Sequence, residues 1–250
     1  MTLSLAGRVV LISGGAKRVG AAICRRLHAD GANLMIHYRA SRAEAEALRD
    51  ELDSDRAGSC ALVQADLLDT AALPQLVDET VARFGRLDVL VNNASSFFPT
   101  AVGHVTEKAW DDLIGTNLKA PLFLSQAAAP QLRQHGGAIV NIVDIHADRP
   151  MKDYVVYSTA KGGLVALTRS LALELGPEVR VNGVAPGAII WPEDDVWSNE
   201  AERERIIAQT SLKRVGHPDD IALAVQFLIA GAPYVTGQII AVCGGRSISL

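Results

Sequence analysis

Residues 13–20 read SGGAKRVG. They follow the apolar run RVVLI (8–12) and lead into AAICRRL (21–27). An apolar run, a glycine-rich turn and a helical pattern, in that order, make a strand–turn–helix unit. Gly14, Gly15 and Gly20 let such a turn fold tightly and bring its backbone close to phosphate groups. The amides at the start of the next helix, with the positive end of its dipole, suit a pyrophosphate. Lys17 and Arg18 stand inside the turn, and Arg18 takes the place where such loops often carry their middle glycine.

Working outward, six more apolar runs follow RVVLIS (8–13): NLMIHY (33–38), CALVQA (60–65), LDVLVNN (87–93), AIVNIV (138–143), VRVNGVA (179–185) and QIIAVC (238–243). Strands covered on both faces must read this way. Helical patterns lie between them at 20–30, 41–52, 70–84, 106–135, 153–175 and 217–230. Ser41 with Glu44 forms a capping-box pattern, and Gly31, Gly85 and Gly176 sit where helices stop. The alternation specifies an α/β fold, a doubly wound parallel sheet of seven strands with helices on both faces. A chain of 250 residues has room for one such domain, spanning 1–250. Segment 187–210, GAIIWPEDDVWSNEAERERIIAQT, breaks the alternation. It reads either as a surface excursion or as a lid over a ligand crevice.

Composition narrows the class. Hydrophobic residues make up 49% and charged residues 21% of the chain, as in a protein with a full core. The net charge of −4, with no basic block, argues against a nucleic-acid partner. No run reaches the ~18 apolar residues of a membrane span, and MTLSLAGRVV does not read as a signal peptide. Cys24, Cys60 and Cys243 lack paired spacing, which argues against disulfides and zinc and fits buried packing in a reducing cytoplasm. His37, His104, His135 and His146 lack ligand-like spacing, so no metal is expected.

The second strand runs into Tyr38, Arg39, Ser41 and Arg42, with no acid before Glu44. A dinucleotide fold that prefers NAD usually places an acid here for the ribose hydroxyls. Arginine and serine instead suit a 2′-phosphate, so NADPH is the expected cofactor. Asp66 after the third strand can accept a hydrogen bond from an adenine amino group or cap a helix. Asn92, Asn93 and Ala94 end the fourth strand, where a small residue leaves room for a cofactor.

Tyr157 and Lys161 in YSTAK lie four apart on an expected helix and share a face. A phenol of pKa ~10 is a poor proton shuttle at neutral pH, and a neighbouring ammonium favours the phenolate. Together with SGGAKRVG, Asp66, NNA (92–94), Asn117 in GTNL and VNGVAPG (181–187), these residues resemble the short-chain dehydrogenase/reductase family over nearly the whole chain. The resemblance implies one Rossmann-type domain and a homo-oligomer, a tetramer ahead of a dimer. It implies Tyr157 as proton donor, Lys161 as holder of the cofactor ribose and Asn117 as support for a proton path. The cofactor contacts it implies are Gly14, Lys17, Arg18, Val19, Tyr38, Arg39, Ser41, Asp66, Leu67, Asn93, Ala94, Ser95, Tyr157, Lys161, Pro186 and Gly187.

One departure bears on the substrate. The family normally carries a serine thirteen residues before the tyrosine; this chain carries Asp144. A carboxylate repels the negative charge that grows on a carbonyl oxygen, but accepts a hydrogen bond from a substrate N–H. NNASSF (92–97), GGAKR and the Asp144–Tyr157 spacing look like the pteridine reductase subgroup. That likeness implies a flat pterin stacked on Phe97, with Arg18, Ser95, Asp144 and Tyr157 as its polar contacts. The expected activity is NADPH-dependent reduction of a dihydropteridine. The rivals are an ordinary ketone reductase and a catalytically quiet NADP(H)-binding sensor.

Overall fold

A computed structural model describes residues 4–191 and 199–249; positions 192–198, in the middle of the segment read as a lid, lie outside the described residues. Seven strands form one parallel sheet: β1 (Val9–Ile12), β2 (Asn33–Tyr38), β3 (Cys60–Gln64), β4 (Val89–Asn92), β5 (Ala138–Ile142), β6 (Arg180–Pro186) and β7 (Ile239–Val242), in the order β3-β2-β1-β4-β5-β6-β7. All seven coincide with the apolar runs of the sequence.

The apolar residues of the strands divide by period two between two cores. Val10, Ile12, Leu34, Ile36, Val89 and Val91 face one, which packs on α1 (Arg18–Ala29), α2 (Arg42–Asp55) and α8 (Pro218–Gln226). Leu11, Met35, Leu90 and Ile139 face the other, on α3 (Leu73–Phe84), α5 (Ala120–Gln134) and α6 (Val155–Leu175). Each fully buried Leu, Ile or Val contributes roughly 1.5–3 kcal/mol. The remaining helices are α4 (Glu107–Ile114) and α7 (Glu200–Ala208). No described helix is long and apolar enough to cross a membrane. The three cysteines are free and buried.

Two local expectations fail. The helix expected over 106–135 is divided by a π-turn at Gly115–Lys119, where the Ala120 amide bonds the Gly115 carbonyl five residues back. Pro121 has no N–H to offer the carbonyl of Asn117, which weakens a regular helix here, although α5 runs on through Pro130. The capping box at Ser41 does not form either: the Ser41 side chain makes no cap bond, and Glu44 pairs with Lys17 at 3.2 Å. A capping box does occur at His217 and Asp220, at the start of α8.

The strand order reverses between β1 and β4, and such a switch point opens a crevice at the carboxyl ends of the strands. A buried polar chain holds the neighbouring elements in register. The Asn92 amide donates to Asn141 Oδ1 at 2.8 Å, and the Asn141 amide donates to Thr168 Oγ1 at 2.8 Å, linking β4, β5 and α6. Asn141→Leu removes both bonds, at about 0.5–1.5 kcal/mol each, while Asn92 keeps Ser125 Oγ at 3.3 Å and Thr168 keeps the Leu164 carbonyl at 2.7 Å. Urea unfolding is expected to show a loss of about 1–3 kcal/mol, whereas a loss below about 0.5 kcal/mol would show that the chain does not hold these elements together.

Candidate active site

The turn after β1 closes against the end of β4. Ser13 Oγ accepts the amides of Asn93 and Ala94 at 3.0 and 3.1 Å, and the Asn93 side chain donates to the carbonyls of Ser13 and Gly14 at 3.1 and 2.8 Å. There is no room here for side chains: a Cβ on Gly14 would stand 2.9 Å from Ala94 Cα, and one on Gly20 would stand 2.7 Å from Asn93 Nδ2. His37 pins the loop from β2. Its Nδ1 accepts the Gly14 amide at 3.1 Å, its Nε2 meets the Ala65 carbonyl at 3.2 Å, and burial pulls its pKa down, which favours the neutral ring.

A cleft of about 500 Å3 runs along this edge. All sixteen residues expected to hold the cofactor line it, from Gly14, Lys17, Arg18 and Val19 through Tyr38, Arg39, Ser41, Asp66 and Leu67 to Asn93, Ala94, Ser95, Tyr157, Lys161, Pro186 and Gly187. His37, Ser96, Thr116, Ile189 and Ile190 line it too and were not anticipated. The position of His37 was readable only as one more strand residue; its inward bond to Gly14 depends on register.

The cleft fits a dinucleotide on several counts. The first turn of α1 has no side-chain cap and no acid, and its residues Arg18, Val19 and Gly20 line the cleft. Uncapped amides at a dipole's positive end suit an anion. Of the lining residues Tyr38, Arg39, Ala40 and Ser41, none is a carboxylate. Arg42, by contrast, turns to Gln64 at 2.9 Å and Glu46 at 3.7 Å and does not line the cleft. Asp66 does not cap α3; its Oδ1 accepts the Leu68 amide at 3.0 Å within the turn after β3. Arg18 has φ 54°, left-handed backbone that glycine adopts more readily. Its guanidinium donates to the carbonyls of Ile190 and Trp191 at 3.3 and 3.1 Å, tying the turn to the segment after β6.

At the deep end, the Tyr157 hydroxyl donates to Asp144 Oδ2 at 2.8 Å, and Asp144 Oδ1 accepts the His146 amide at 2.8 Å. Asp144 stands two residues past β5, at the start of a 3-10 turn, Ile145–Ala147, and Tyr157 sits in the first turn of α6. Lys161 is buried one turn on, donates to the Ile142 carbonyl at 2.9 Å and lies 5.7 Å from the centre of the Tyr157 ring. Burial pushes its pKa down to about 8, partly opposed by the charge of Asp144. The lowering expected from Lys161 does not prevail in the phenol as a whole. Burial first, then the charge and hydrogen bond of Asp144, hold the phenol well above its ordinary value, with only partial relief from Ser95.

Asn117 is fully buried in the π-turn. Its Oδ1 accepts the Ser95 hydroxyl at 2.6 Å, and its Nδ2 donates to the Ser96 and Leu113 carbonyls, each at 2.9 Å. It fixes the 95–96 loop and does not itself line the cleft. Phe97 does not line the cleft either. Its ring stacks on Tyr154 at 4.7 Å and 18°, and meets the Tyr157 ring edge-on at 4.8 Å and 79°. Tyr154 went unnoticed in the sequence, although it stands one turn before Tyr157. Among the described residues, no three His, Cys, Asp or Glu side chains gather as metal ligands.

The arrangement can hold a neutral phenol against a carboxylate beside a buried ammonium, next to a phosphate-binding turn. Comparison with known proteins agrees with that reading. Residues 14–247 match a family model described as enoyl-(acyl carrier protein) reductase. An uncharacterized oxidoreductase of Methylorubrum extorquens is 38% identical over 96% of this chain and 98% of its own. Pteridine reductase 1 of Leishmania tarentolae is 37% identical over 100% and 99%. The 3-oxoacyl-acyl-carrier-protein reductase of Staphylococcus aureus is also 37% identical, over 94% and 96%. The two named activities are thus equally near in overall sequence. With the parallel sheet, the glycine turn and the Tyr157–Lys161 pair, these matches place the chain in the short-chain dehydrogenase/reductase family of NAD(P)(H)-dependent oxidoreductases.

Proposed function

We propose that this oxidoreductase uses NADPH to reduce a dihydropteridine, of the dihydrobiopterin, dihydromonapterin or dihydrofolate type, to its tetrahydro form. The observation that carries the proposal is the 2.8 Å bond between Tyr157 and Asp144. A ketone oxygen gathering negative charge beside that carboxylate would be repelled, whereas a ring N–H or amino group would be held. The equal likeness to the staphylococcal 3-oxoacyl reductase keeps a ketone substrate as the reading to be tested against it.

NADPH, when bound, supplies a hydride to a carbon of the ring C=N. Gly14, Val19 and Arg18 would hold its pyrophosphate, Arg39 and Ser41 its 2′-phosphate, with Lys17 held back by Glu44. Tyr38, Asp66, Leu67, Asn93, Ala94, Ser95, Pro186 and Gly187 would enclose the remainder, and Lys161 would hold the ribose. Asp144 orients the ring through its N–H groups, and the Tyr157 hydroxyl turns from Asp144 to give its proton to the ring nitrogen. The buried Lys161 ammonium stabilises the tyrosine oxygen as that proton leaves. Arg18 and Ser95 contact the polar edge. Phe97, which packs on Tyr154 and does not line the cleft, would have to turn a face to the ring for stacking to fix the plane of attack. We further propose a homotetramer in the cytoplasm.

A panel of dihydropterins, dihydrofolate and simple ketones, followed by NADPH absorbance, tests the substrate. Turnover of dihydropterins is expected; turnover of ketones alone would overturn the reading, and tight NADPH binding without turnover would leave a sensor. Asp144→Ser is expected to lower kcat/KM for the pterin about 100-fold or more, a loss of the size seen for groups acting on the transition state, with NADPH affinity nearly unchanged. Equal losses in both would remove Asp144 from the substrate side.

Arg39→Ala removes a guanidinium from the 2′-phosphate and is expected to weaken NADPH binding about tenfold or more, with NADH affinity left alone. Equal effects on the two cofactors would refute the assignment. Finally, kcat/KM for NADPH reports the free enzyme. Lys161 has a depressed pKa, so its ammonium is present below about pH 8 and lost above it. The rate is expected to fall on the alkaline side with an apparent pKa near 8; a limb that begins only above pH 10 would show that Lys161 stays charged.

A further inference from the structure

A second cavity, of about 720 Å3, lies beside the turn that follows Asp144. The turn that carries Asp144 into the cleft carries His146 into this cavity, and Tyr154, the ring behind Phe97, lines it. Four cationic side chains, Arg149, Lys152, Arg205 and Arg246, face it against two carboxylates, Asp148 and Glu202. Glu202 is taken: it binds Arg205 through both oxygens, at 2.9 and 2.6 Å.

Arg246 differs from its neighbours. It is only 8% exposed, and its Nε donates to Gln209 Oε1 at 3.3 Å. Among the described residues no carboxylate lies within 4.0 Å of it. A guanidinium keeps its charge in a protein, and a buried charge without a counterion is costly. Arg246 lines the cavity with no ion-pair partner within 4.0 Å among the described residues, the carboxylates of Asp144 and Glu202 acting on it only from farther off, and a guanidinium so placed can bind carboxylate or phosphate through two parallel hydrogen bonds. Its charge is also felt by Asp144, so the two spaces communicate electrostatically.

We propose that this cavity is a subsite for an anionic substituent, a carboxylate or phosphate, carried by the heterocycle that Asp144 and Tyr157 act on. Arg246 anchors the anion, and the exposed Arg149 and Lys152 form its outer contacts. The inference rests on the pteridine reading and narrows it to a dihydropteridine with a charged tail, such as the glutamate of dihydrofolate, over one with a neutral side chain, such as dihydrobiopterin.

The test compares dihydrofolate and dihydrobiopterin on the wild type, Arg246→Gln and the double variant R149A/K152A. Alongside, p-aminobenzoyl-glutamate is titrated calorimetrically into each NADPH-loaded protein, with and without inorganic phosphate. In both variants the KM for dihydrofolate should rise about tenfold, the cost of losing a charged hydrogen bond, while kcat/KM for dihydrobiopterin stays within about twofold. The fragment should bind the wild type and bind the variants much more weakly. R149A/K152A alters only exposed positions and decides the matter should Arg246→Gln fail to fold. Equal changes for the two pterins or no binding of the fragment would each overturn the subsite, whereas competition by inorganic phosphate is expected of an anion site. Fragment binding lost in the variants, with neither pterin reduced, would keep the anion site and remove the reductase reading; reduction of both pterins without fragment binding would do the reverse.

Discussion

The closure of the turn after β1 on the end of β4 sets where everything else at this edge can sit. One hydroxyl, Ser13, takes two amides from β4, and one amide side chain, Asn93, returns two bonds to the turn. Four bonds across so short a span leave no slack, and the two glycines that face Asn93 and Ala94 have no room for a methyl. The uncapped amides of α1 are consequently held at a fixed height above the sheet, and the floor of the cleft is set before any ligand arrives.

The deep end is set by a different economy. A tyrosine, an aspartate and a lysine share a small buried space, and each alters its neighbours. Desolvation alone would leave Lys161 reluctant to keep its proton and Tyr157 reluctant to lose one; Asp144 deepens the second effect and opposes the first. A serine in place of Asp144 would donate to a substrate oxygen. The carboxylate can only accept, so the site has exchanged one kind of ligand edge for another without moving a backbone element.

How much of this was legible in the sequence differs by layer. The sheet was, because strands buried on both faces must be apolar throughout and their flanking glycines mark the turns. The cleft was, because its residues sit at the carboxyl ends of those strands and so come together in any sheet of this order. Local competition was not legible. Ser41 and Glu44 have the spacing of a capping box, yet Lys17, brought in by the fold from 27 residues away, takes the glutamate. The π-turn at Asn117 stands just before Pro121, and periodicity over 106–135 conceals it. Phe97 was read as a face for a ligand, but its packing on Tyr154 depends on how α6 lies against the 95–98 loop. The cavity around Arg246 joins three distant segments, which no single stretch of sequence displays.

The left-handed backbone of Arg18 carries a consequence for how this protein would respond to selection for robustness. A non-glycine residue there costs roughly 1–2 kcal/mol relative to a relaxed conformation. Glycine would remove that cost and, with it, the guanidinium that reaches Ile190 and Trp191. Those two bonds, at about 0.5–1.5 kcal/mol each, offset the relief, so glycine at 18 would simplify the loop with little gain in durability. The strained backbone is held in place by the side chain that it costs energy to accommodate.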